Sequence, residues 1–224
     1  MSLFCLVHGS TQGPSGWDLL VPKLNDLGHE TSLVDLPIDQ PEASATVYAN
    51  RIADSIASDG AIVVAHSASG LFLPLVPAKR RVARIVFLAA VIPQVGKSLI
   101  DQVHSEADIM NPDWRGKNPI DDDRAAMEFL FHDCSSDVAS WAMTTRRLMM
   151  ARQAMLEIFP ADQWPSTACS SIVCADDRTI QPVWSRRVAR ERLGIEPIEL
   201  DGGHCPHVSR PDALARALDG ISVC

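Results

Sequence analysis

Short runs of apolar and β-branched residues alternate along the chain with longer stretches that carry apolar residues at helical spacing. Most of the short runs are continuously apolar, which is typical of strands buried on both faces of a parallel sheet. The predicted strands are Leu3–Val7, Thr31–Asp35, Ala61–Ala65, Arg84–Leu88, Ser171–Cys174 and Pro197–Leu200. The predicted helices are Trp17–Leu27, Pro41–Ser58, Ser67–Arg80, Pro182–Leu193 and Pro211–Leu218.

The alternation of strand and helix predicts an α/β layered fold, with a sheet of about six mostly parallel strands and right-handed crossovers. One stretch of the chain interrupts this alternation of strand and helix. From about residue 95 to residue 165 no strand is predicted, and helical patterns occur at Asp123–His132 and Ser136–Phe159. We therefore predict a helical insertion that is small enough to be a lid. The predicted organisation is residues 1–94 and 166–224 for the two parts of the core, and 95–165 for the lid.

Composition and charge limit the classes of protein to which the chain can belong. Its 224 residues are 46% hydrophobic, which is enough for one sizeable core. The net charge of −8 argues against a general nucleic-acid binder or a protein of anionic membrane surfaces. The longest strongly apolar stretch, residues 61–77, is broken by polar residues, glycine and proline, and is too short for a membrane helix. Six cysteines form no C-x-x-C pair and no signal peptide is visible, so we expect reduced thiols and a cytoplasmic location.

The sharpest local signal is Ala61–Gly70, where a predicted buried strand ends abruptly and a helix begins with Ser67 at the junction. This arrangement is typical of a nucleophile elbow, a tight turn that lifts a serine hydroxyl above the edge of the sheet. The usual spacing is G-x-S-x-G, and here Ala65 and Ser69 occupy the glycine positions with side chains that are still small. A serine at such a junction is more often only a helix cap, so the hypothesis needs catalytic partners.

Candidate partners follow Ser67 in the order acid, then histidine, that this architecture uses. Asp177 comes just after the fifth predicted strand, and His204 comes just after the sixth. Functional groups gather at the carboxyl ends of strands in open parallel sheets, so we expect the three side chains to meet. The imidazole would take the serine proton, and the carboxylate would orient the imidazole. Asp176 stays an alternative to Asp177, which is preferred because Cys174-x-x-Asp177 keeps the usual G-x-x-D spacing.

The remaining parts of the predicted site are its oxyanion donors and its substrate pocket. We expect one backbone N–H from Ala68, directly after the nucleophile, and one from Ser10 in the loop after the first strand. The lid also carries bulky apolar side chains that are more often core than pocket at helical spacing, so none is predicted to set specificity. These side chains are Trp114, Phe129, Phe131, Trp141, Met143, Met149, Met150 and Met155.

Other residues of similar chemistry are weaker candidates. His8 is expected to support the loop after the first strand, and His66 to pack at the elbow. His207 lies three residues beyond the preferred histidine, and Cys205 is not at an elbow, which makes it a poor rival nucleophile. No cysteine or carboxylate spacing completes a recognised metal site around these residues, so we expect no metal and no cofactor.

Over nearly its full length the chain resembles the α/β-hydrolase superfamily. The landmarks are His8-Gly9, the Ser67 elbow, the run from Asp177 to Pro182, and Gly203-His204. Within the superfamily it looks most like the small plant-type methylesterase and hydroxynitrile-lyase branch and its bacterial relatives, on Val86–Pro93 and the short lid that follows. The site that the resemblance implies is the triad Ser67, Asp177 and His204 with the oxyanion donors Ser10 and Ala68.

The leading functional hypothesis is hydrolysis of a small carboxylic ester, with methyl esters among the candidates, through an acyl-enzyme. Lyases of the branch carry a threonine where this chain has Gly9 and a lysine where it has Cys205, and both departures disfavour lyase activity. Thioester or lactone cleavage and a non-catalytic ligand receptor on the same fold stay as alternatives. The expected partner is a small-molecule ester, with no nucleic acid and no membrane. The oligomeric state, monomer or homodimer, is left open.

Overall fold

A computed structural model describes residues 1–222, so Cys224 and the end of the predicted C-terminal core lie outside the described residues. Six strands form one sheet in the order β2-β1-β3-β4-β5-β6, and every neighbouring pair is parallel. The strands are β1 (Leu3–Val7), β2 (Glu30–Val34), β3 (Ala61–His66), β4 (Val82–Leu88), β5 (Ala168–Cys174) and β6 (Ile198–Leu200). The predicted α/β fold is confirmed.

Helices cover both faces of this sheet and fill the stretch between β4 and β5. The α-helices are α1 (Val21–Asp26), α2 (Ala45–Asp54), α3 (Leu99–Ser105), α4 (Asp123–Ala125), α5 (Ser136–Thr144), α6 (Arg152–Leu156), α7 (Pro182–Leu193), α8 (Pro206–Ser209) and α9 (Pro211–Ser222). A π-helical turn, Ala126–Leu130, continues α4. The 3₁₀ helices are Pro14–Trp17, Ser67–Leu75 and Pro112–Trp114. Within residues 1–222, no helix combines the length and the apolar character that are needed to cross a bilayer.

The sheet separates two apolar layers because successive side chains of a strand point to opposite faces. On one face, alternate residues of β1, β3 and β4 pack with α2, α7 and the 3₁₀ helix after β3; the largest buried side chains there are Tyr48, Phe72, Phe87 and Trp184. On the other face, the intervening residues pack with α1 and α9 around the buried ring of Trp17. Burial on both faces explains why the strands read as continuous apolar runs.

The helix predicted for Ser67–Arg80 is wrong in type and length. The structure has a 3₁₀ helix that ends at Leu75. Pro74 lies inside it, and in an α-helix the proline ring would clash with the carbonyl of Gly70. After β4, the N–H of Val91 donates to the carbonyl of Ser67 at 3.0 Å, and Gly70 packs against the backbone of Val91. The tighter geometry of a 3₁₀ helix is compatible with this close packing.

The inserted segment, residues 95–165, differs most from its prediction. The single helix expected for Ser136–Phe159 is wrong, because α5 and α6 are separated by an irregular stretch. In that stretch the N–H of Arg147 donates to the carbonyl of Thr11 at 3.1 Å, and the N–H of Met149 donates to the carbonyl of Ser10 at 2.8 Å. These bonds to a distant loop replace the helical ones.

Helix α3 was not predicted, although a short motif marks its start. The Ser98 side chain accepts a hydrogen bond from the Asp101 N–H at 3.0 Å, and the Asp101 carboxylate accepts one from the Ser98 backbone N–H at 3.4 Å. This reciprocal arrangement is a capping box, which satisfies backbone donors that the first turn of a helix leaves free.

Gly70 provides a direct test of the packing between the 3₁₀ helix and the segment after β4. A Cβ at this position would lie 2.1 Å from the Val91 carbonyl oxygen, which is backbone and cannot give way cheaply. We predict that Gly70→Ala lowers the free energy of unfolding by about 1–3 kcal/mol or more, as measured by urea denaturation. Gly220→Ala is the matched control. Among residues 1–222, a Cβ there meets no atom within 4 Å apart from its own helix and chain neighbours, so stability should rise by about 0.5–1 kcal/mol. Equal stability of Gly70→Ala and the native chain would contradict this packing.

Candidate active site

Ser67 occupies a strained turn at the carboxyl end of β3. Its φ is +56°, in the left-handed region that residues other than glycine rarely adopt, whereas His66 before it is extended with φ −94°. Such a conformation costs on the order of 1–3 kcal/mol and is characteristic of functional sites. The chain therefore turns abruptly from strand to helix at the serine, which is the geometry expected of a nucleophile elbow.

The loop after β1, residues 8–13, approaches this elbow closely, and Gly9 makes the approach possible. A Cβ at position 9 would lie 2.9 Å from Cβ of Ser67 and 2.8 Å from Nδ1 of His66, so no larger residue fits without displacement. Ser69, which replaces the usual glycine, donates from its hydroxyl to the carbonyl of His8 at 2.6 Å. The serine at this glycine position therefore links the loop to the elbow through a hydrogen bond.

The structure brings the three predicted catalytic side chains together. His204 Nε2 lies 2.9 Å from Ser67 Oγ, and His204 Nδ1 lies 2.8 Å from Asp177 Oδ2. His204 is 2% exposed and Asp177 is 8% exposed, so both polar groups are removed from water. With the carboxylate accepting from Nδ1–H, Nε2 carries the lone pair that can accept the serine proton.

The carboxylate of Asp177 is held by its own turn. Its Oδ1 accepts from the N–H groups of Thr179 and Ile180, at 2.7 and 3.1 Å, and from the Thr179 hydroxyl at 3.0 Å. The oxygen of that hydroxyl also lies 2.6 Å from His204 Nδ1, so the imidazole N–H is shared between carboxylate and threonine. Thr179 was missed as a site residue, although it lies two positions after the predicted acid.

The alternative acid, Asp176, is placed differently. Its side chain is exposed, its N–H donates to the carbonyl of Gly202 at 3.0 Å, and its carbonyl oxygen lies 3.2 Å from His132 Nε2. The neighbouring Asp133 also contacts this region, since its Oδ2 accepts from the N–H of Gly203 at 2.9 Å. The Asp176 side chain is therefore open to solvent, and its backbone carbonyl contacts His132 of the inserted segment.

His8 organises the loop that contains Ser10. Its Nε2 accepts from the N–H of Leu36 at 3.1 Å, so Nδ1 carries the proton and donates to the Gly9 carbonyl at 2.9 Å. Burial lowers the pKa of His8, which favours this neutral form. Because N–H and C=O of a trans peptide point in opposite directions, the N–H of Ser10 points away from His8.

Two further histidines form a buried neutral layer behind His204. His66 Nε2 donates to the backbone carbonyl of His204 at 2.8 Å, and the His207 ring lies 4.7 Å from the His66 ring. Burial, with the neighbouring imidazoles of His204 and His207, holds the pKa of His66 well below its ordinary value. Burial lowers the pKa of His207 to about 3. Neither ring is suited to carry protons near neutral pH.

Gln12 and Thr145 connect this layer to the inserted segment, and neither was predicted. His207 Nε2 donates to Gln12 Oε1 at 2.8 Å, and Gln12 Nε2 donates to the Thr145 hydroxyl at 2.9 Å. The Thr145 hydroxyl in turn donates to the carbonyl of Ala142 at 2.8 Å. No short motif surrounds Gln12, so only the fold shows that this side chain joins three distant parts of the chain.

Cys205 is a poor alternative nucleophile in this geometry. The Cys205 side chain is fully buried, and burial raises its thiol pKa well above the ordinary value, which suppresses the reactive thiolate. Among the described residues, no group of three or more histidine, cysteine or carboxylate side chains is placed to hold a metal ion.

A cavity of about 190 Å³ lies beside the triad, and Ser10, Ser67, Ala68, Thr179 and His204 all line it. The two predicted oxyanion donors are therefore brought to the same space as the serine. Much of the remaining wall is apolar and comes from the inserted segment. These side chains are Leu99, Ile100, Val103, Met110, Trp114, Leu130 and Met155.

The buried histidine layer predicts a loss of stability in acid. In the folded chain His207 stays neutral down to a pKa of about 3, whereas in the unfolded chain it binds a proton below about pH 6.5. The unfolded state therefore binds more protons, and stability falls as the pH decreases from about 6.5 toward 3, by about 1.4 kcal/mol per pH unit for this residue. We predict that His207→Gln reduces the slope of unfolding free energy against pH by about that amount. Urea denaturation of both proteins across this range provides the measurement. If the two proteins have parallel slopes, His207 binds its proton as readily in the folded chain as in the unfolded chain, and the fold does not hold it neutral.

Comparison with known proteins agrees with this architecture. The model of the alpha/beta hydrolase family matches residues 6–217. Salicylic acid-binding protein 2 of Nicotiana tabacum is 26% identical over 96% of this chain and 95% of its own length, and methylesterase 7 of Arabidopsis thaliana is 25% identical over 96% and 94%. The crystal structure of polyneuridine aldehyde esterase superposes with a TM-score of 0.80 at 22% identity, over 99% of both chains. The predicted resemblance to the plant-type methylesterase branch is confirmed, and this chain belongs to the alpha/beta hydrolase family.

Proposed function

We propose that the chain is a serine hydrolase that cleaves small carboxylic esters, with Ser67 as nucleophile, His204 as general base and acid, and Asp177 as the group that orients the imidazole. The observation that carries the proposal is the pair of hydrogen bonds on the His204 ring, 2.9 Å to Ser67 Oγ and 2.8 Å to Asp177 Oδ2. A serine hydroxyl is a weak nucleophile until a neighbouring base takes its proton.

The reaction proceeds in two stages through an acyl-enzyme. In the first, His204 Nε2 takes the proton of Ser67 as Oγ bonds to the ester carbon, and then gives it to the alkoxide as the ester C–O bond breaks. The alcohol leaves and the acyl group stays on Oγ. In the second stage, a water molecule attacks the acyl carbon while Nε2 takes its proton. Return of that proton to Oγ releases the carboxylic acid and restores the enzyme.

The negative charge on the carbonyl oxygen requires preorganised N–H donors, which we assign to Ser10 and Ala68. Both residues line the cavity of Ser67. The peptide before Ser10 is oriented by the bond from His8 Nδ1 to the Gly9 carbonyl, and the Ser10 carbonyl accepts from Met149 in the inserted segment. Fixed donors of this kind cost no reorganisation when charge develops, and losing one in a comparable hydrolase costs about 2.7–4 kcal/mol.

We propose that the substrate is a small-molecule ester that residues 95–165 cover as a lid, and that the protein acts in the cytoplasm. Methyl esters are among the candidates, in keeping with the methylesterase relative. The close contacts of Gly9 with Ser67 and His66 leave no room for the hydroxyl-bearing side chain of the lyases, which disfavours that activity. A ligand receptor is the second candidate, since one relative is named a salicylic acid-binding protein. Acyl-enzyme turnover separates the two.

Removal of the nucleophile tests the proposal. We predict that Ser67→Ala lowers kcat/KM for p-nitrophenyl acetate by at least about 1,000-fold, because the acyl-enzyme cannot form. Ser58→Ala is the matched control, since it removes one exposed hydroxyl outside the site and should leave activity unchanged. Release of p-nitrophenol is followed spectrophotometrically. Activity that survives in Ser67→Ala would rule out the assigned nucleophile, and a native chain without a burst or turnover would favour the receptor.

The shared proton on His204 Nδ1 gives a second test. We predict that Thr179→Val lowers kcat by about 10- to 100-fold with a smaller change in KM, because it removes a hydrogen bond to a ring that becomes charged. Thr179→Ser keeps the hydroxyl and should restore most of kcat. Steady-state kinetics with the same ester provide both parameters. If valine and serine variants have the same kcat, the hydroxyl does not support the imidazole.

A further inference from the structure

An exposed apolar surface lies on the inserted segment, next to the site. Leu148, Met150, Leu156 and Ile158 are 41%, 52%, 50% and 64% exposed. Large apolar side chains that are exposed singly are ordinary, but a contiguous group of them marks a binding surface. These four lie within eleven consecutive positions, in and beside the irregular stretch and α6.

Three of these side chains line one groove, which we call the apolar groove. It has a volume of about 600 Å³, and its walls include Ile100, Leu148, Met150, Met155 and Leu156. Apart from Ser10 and Arg152 its lining residues are apolar. The backbone of this stretch is fixed, since the N–H of Met150 donates to the Ile38 carbonyl at 3.0 Å. The groove is therefore a formed feature of the fold.

The apolar groove lies beside the cavity of the triad, and the two spaces share part of their walls. Ser10, Ile100 and Met155 line both spaces. The cavity alone, at about 190 Å³, is smaller than the roughly 300–1,000 Å³ usual for ligand sites. A substrate larger than a short ester whose reacting group fills the cavity therefore needs space beyond it, and the adjoining groove of about 600 Å³ offers that space.

We propose that the apolar groove binds an unbranched hydrocarbon arm of the ester substrate, which leaves the cavity between Ser10, Ile100 and Met155. The inference rests on the proposed ester hydrolysis and names its substrate class, an ester with one long apolar arm. Walls that are apolar except at Ser10 and Arg152 favour a hydrocarbon over a polar group. The unbranched thioethers of Met150 and Met155 adapt their shape to a flexible chain. The wall that the groove shares with the cavity of the triad favours a substrate arm over a second copy of the chain.

Two homologous series of esters test the assignment with the full chain. Acetyl, butyryl, octanoyl and dodecanoyl esters of p-nitrophenol vary the acyl arm, and butyl, octyl and dodecyl acetates vary the alcohol arm. All are used below their critical micelle concentrations. We expect kcat/KM to rise in one series by about twofold to fourfold per added methylene once the arm reaches the groove, as burial of hydrocarbon predicts. The series that rises identifies which arm occupies the groove.

Surface variants show whether the groove is responsible. The double variant Leu148→Gln, Leu156→Gln replaces two exposed side chains and should fold normally. It should abolish at least about tenfold of the gain with the longest ester, as expected for several methylenes left without an apolar wall, while kcat/KM for p-nitrophenyl acetate stays unchanged. Val183→Gln, which replaces a side chain 58% exposed on α7 outside the groove, should behave like the native chain.

The outcomes separate this inference from the proposed function. If p-nitrophenyl acetate is cleaved but neither series depends on chain length, or the double variant keeps the full dependence, the groove does not bind a substrate arm. If sedimentation shows a dimer that the double variant loses, with the chain-length dependence unchanged, a second copy covers the groove and the inference is overturned. If no ester is cleaved and Ser67 is unreactive, the proposed function fails and the inference fails with it.

Discussion

The imidazole of His204 is fixed at both ring nitrogens, 2.9 Å from Ser67 Oγ and 2.8 Å from Asp177 Oδ2. The three side chains follow β3, β5 and β6, so their contact depends on strands that stay parallel and in register. A slip of one residue would move a side chain by about 3.3 Å, which is more than the tolerance of a hydrogen bond. The apolar layers on both faces of the sheet oppose such a slip, and in this way the core of the protein maintains the geometry of its site.

Behind this triad, the fold maintains polar groups in a buried and uncharged form. His66 and His207 are neutral, and each donates a hydrogen bond, to the His204 carbonyl and to Gln12 respectively. Pairing reduces the free-energy cost of burying a polar group, so these bonds stabilise the loops that carry them. Gln12 then continues to Thr145, which couples the loop after β1 to the inserted segment. The inserted segment and the loop after β1 are thus connected through buried hydrogen bonds.

Much of the sheet and the triad could be predicted because the signals are local. A continuous apolar run indicates a buried strand, and a serine, an acid or a histidine directly after such a run indicates the edge where strands end. The break between α5 and α6 could not be predicted, because its cause is hydrogen bonding of Met149 to Ser10, far away in the chain. Gln12 was missed for the same reason. Thr179 and the capping box at Ser98, by contrast, could have been predicted from the sequence. Thr179 lies two positions after the predicted acid, and Ser98-x-x-Asp101 is the pattern of a capping box.

We propose that one serine, Ser67, is activated by its hydrogen bond to His204, whose ring is held by Asp177. Treatment of the native chain with a fluorophosphonate, followed by peptide mass spectrometry, tests it most directly because the probe reports an activated serine without assuming a substrate. We predict a single modification, on Ser67, and its loss in His204→Ala while the variant keeps the native fold by circular dichroism. Modification of a different serine, or undiminished modification of Ser67 in His204→Ala, would contradict it.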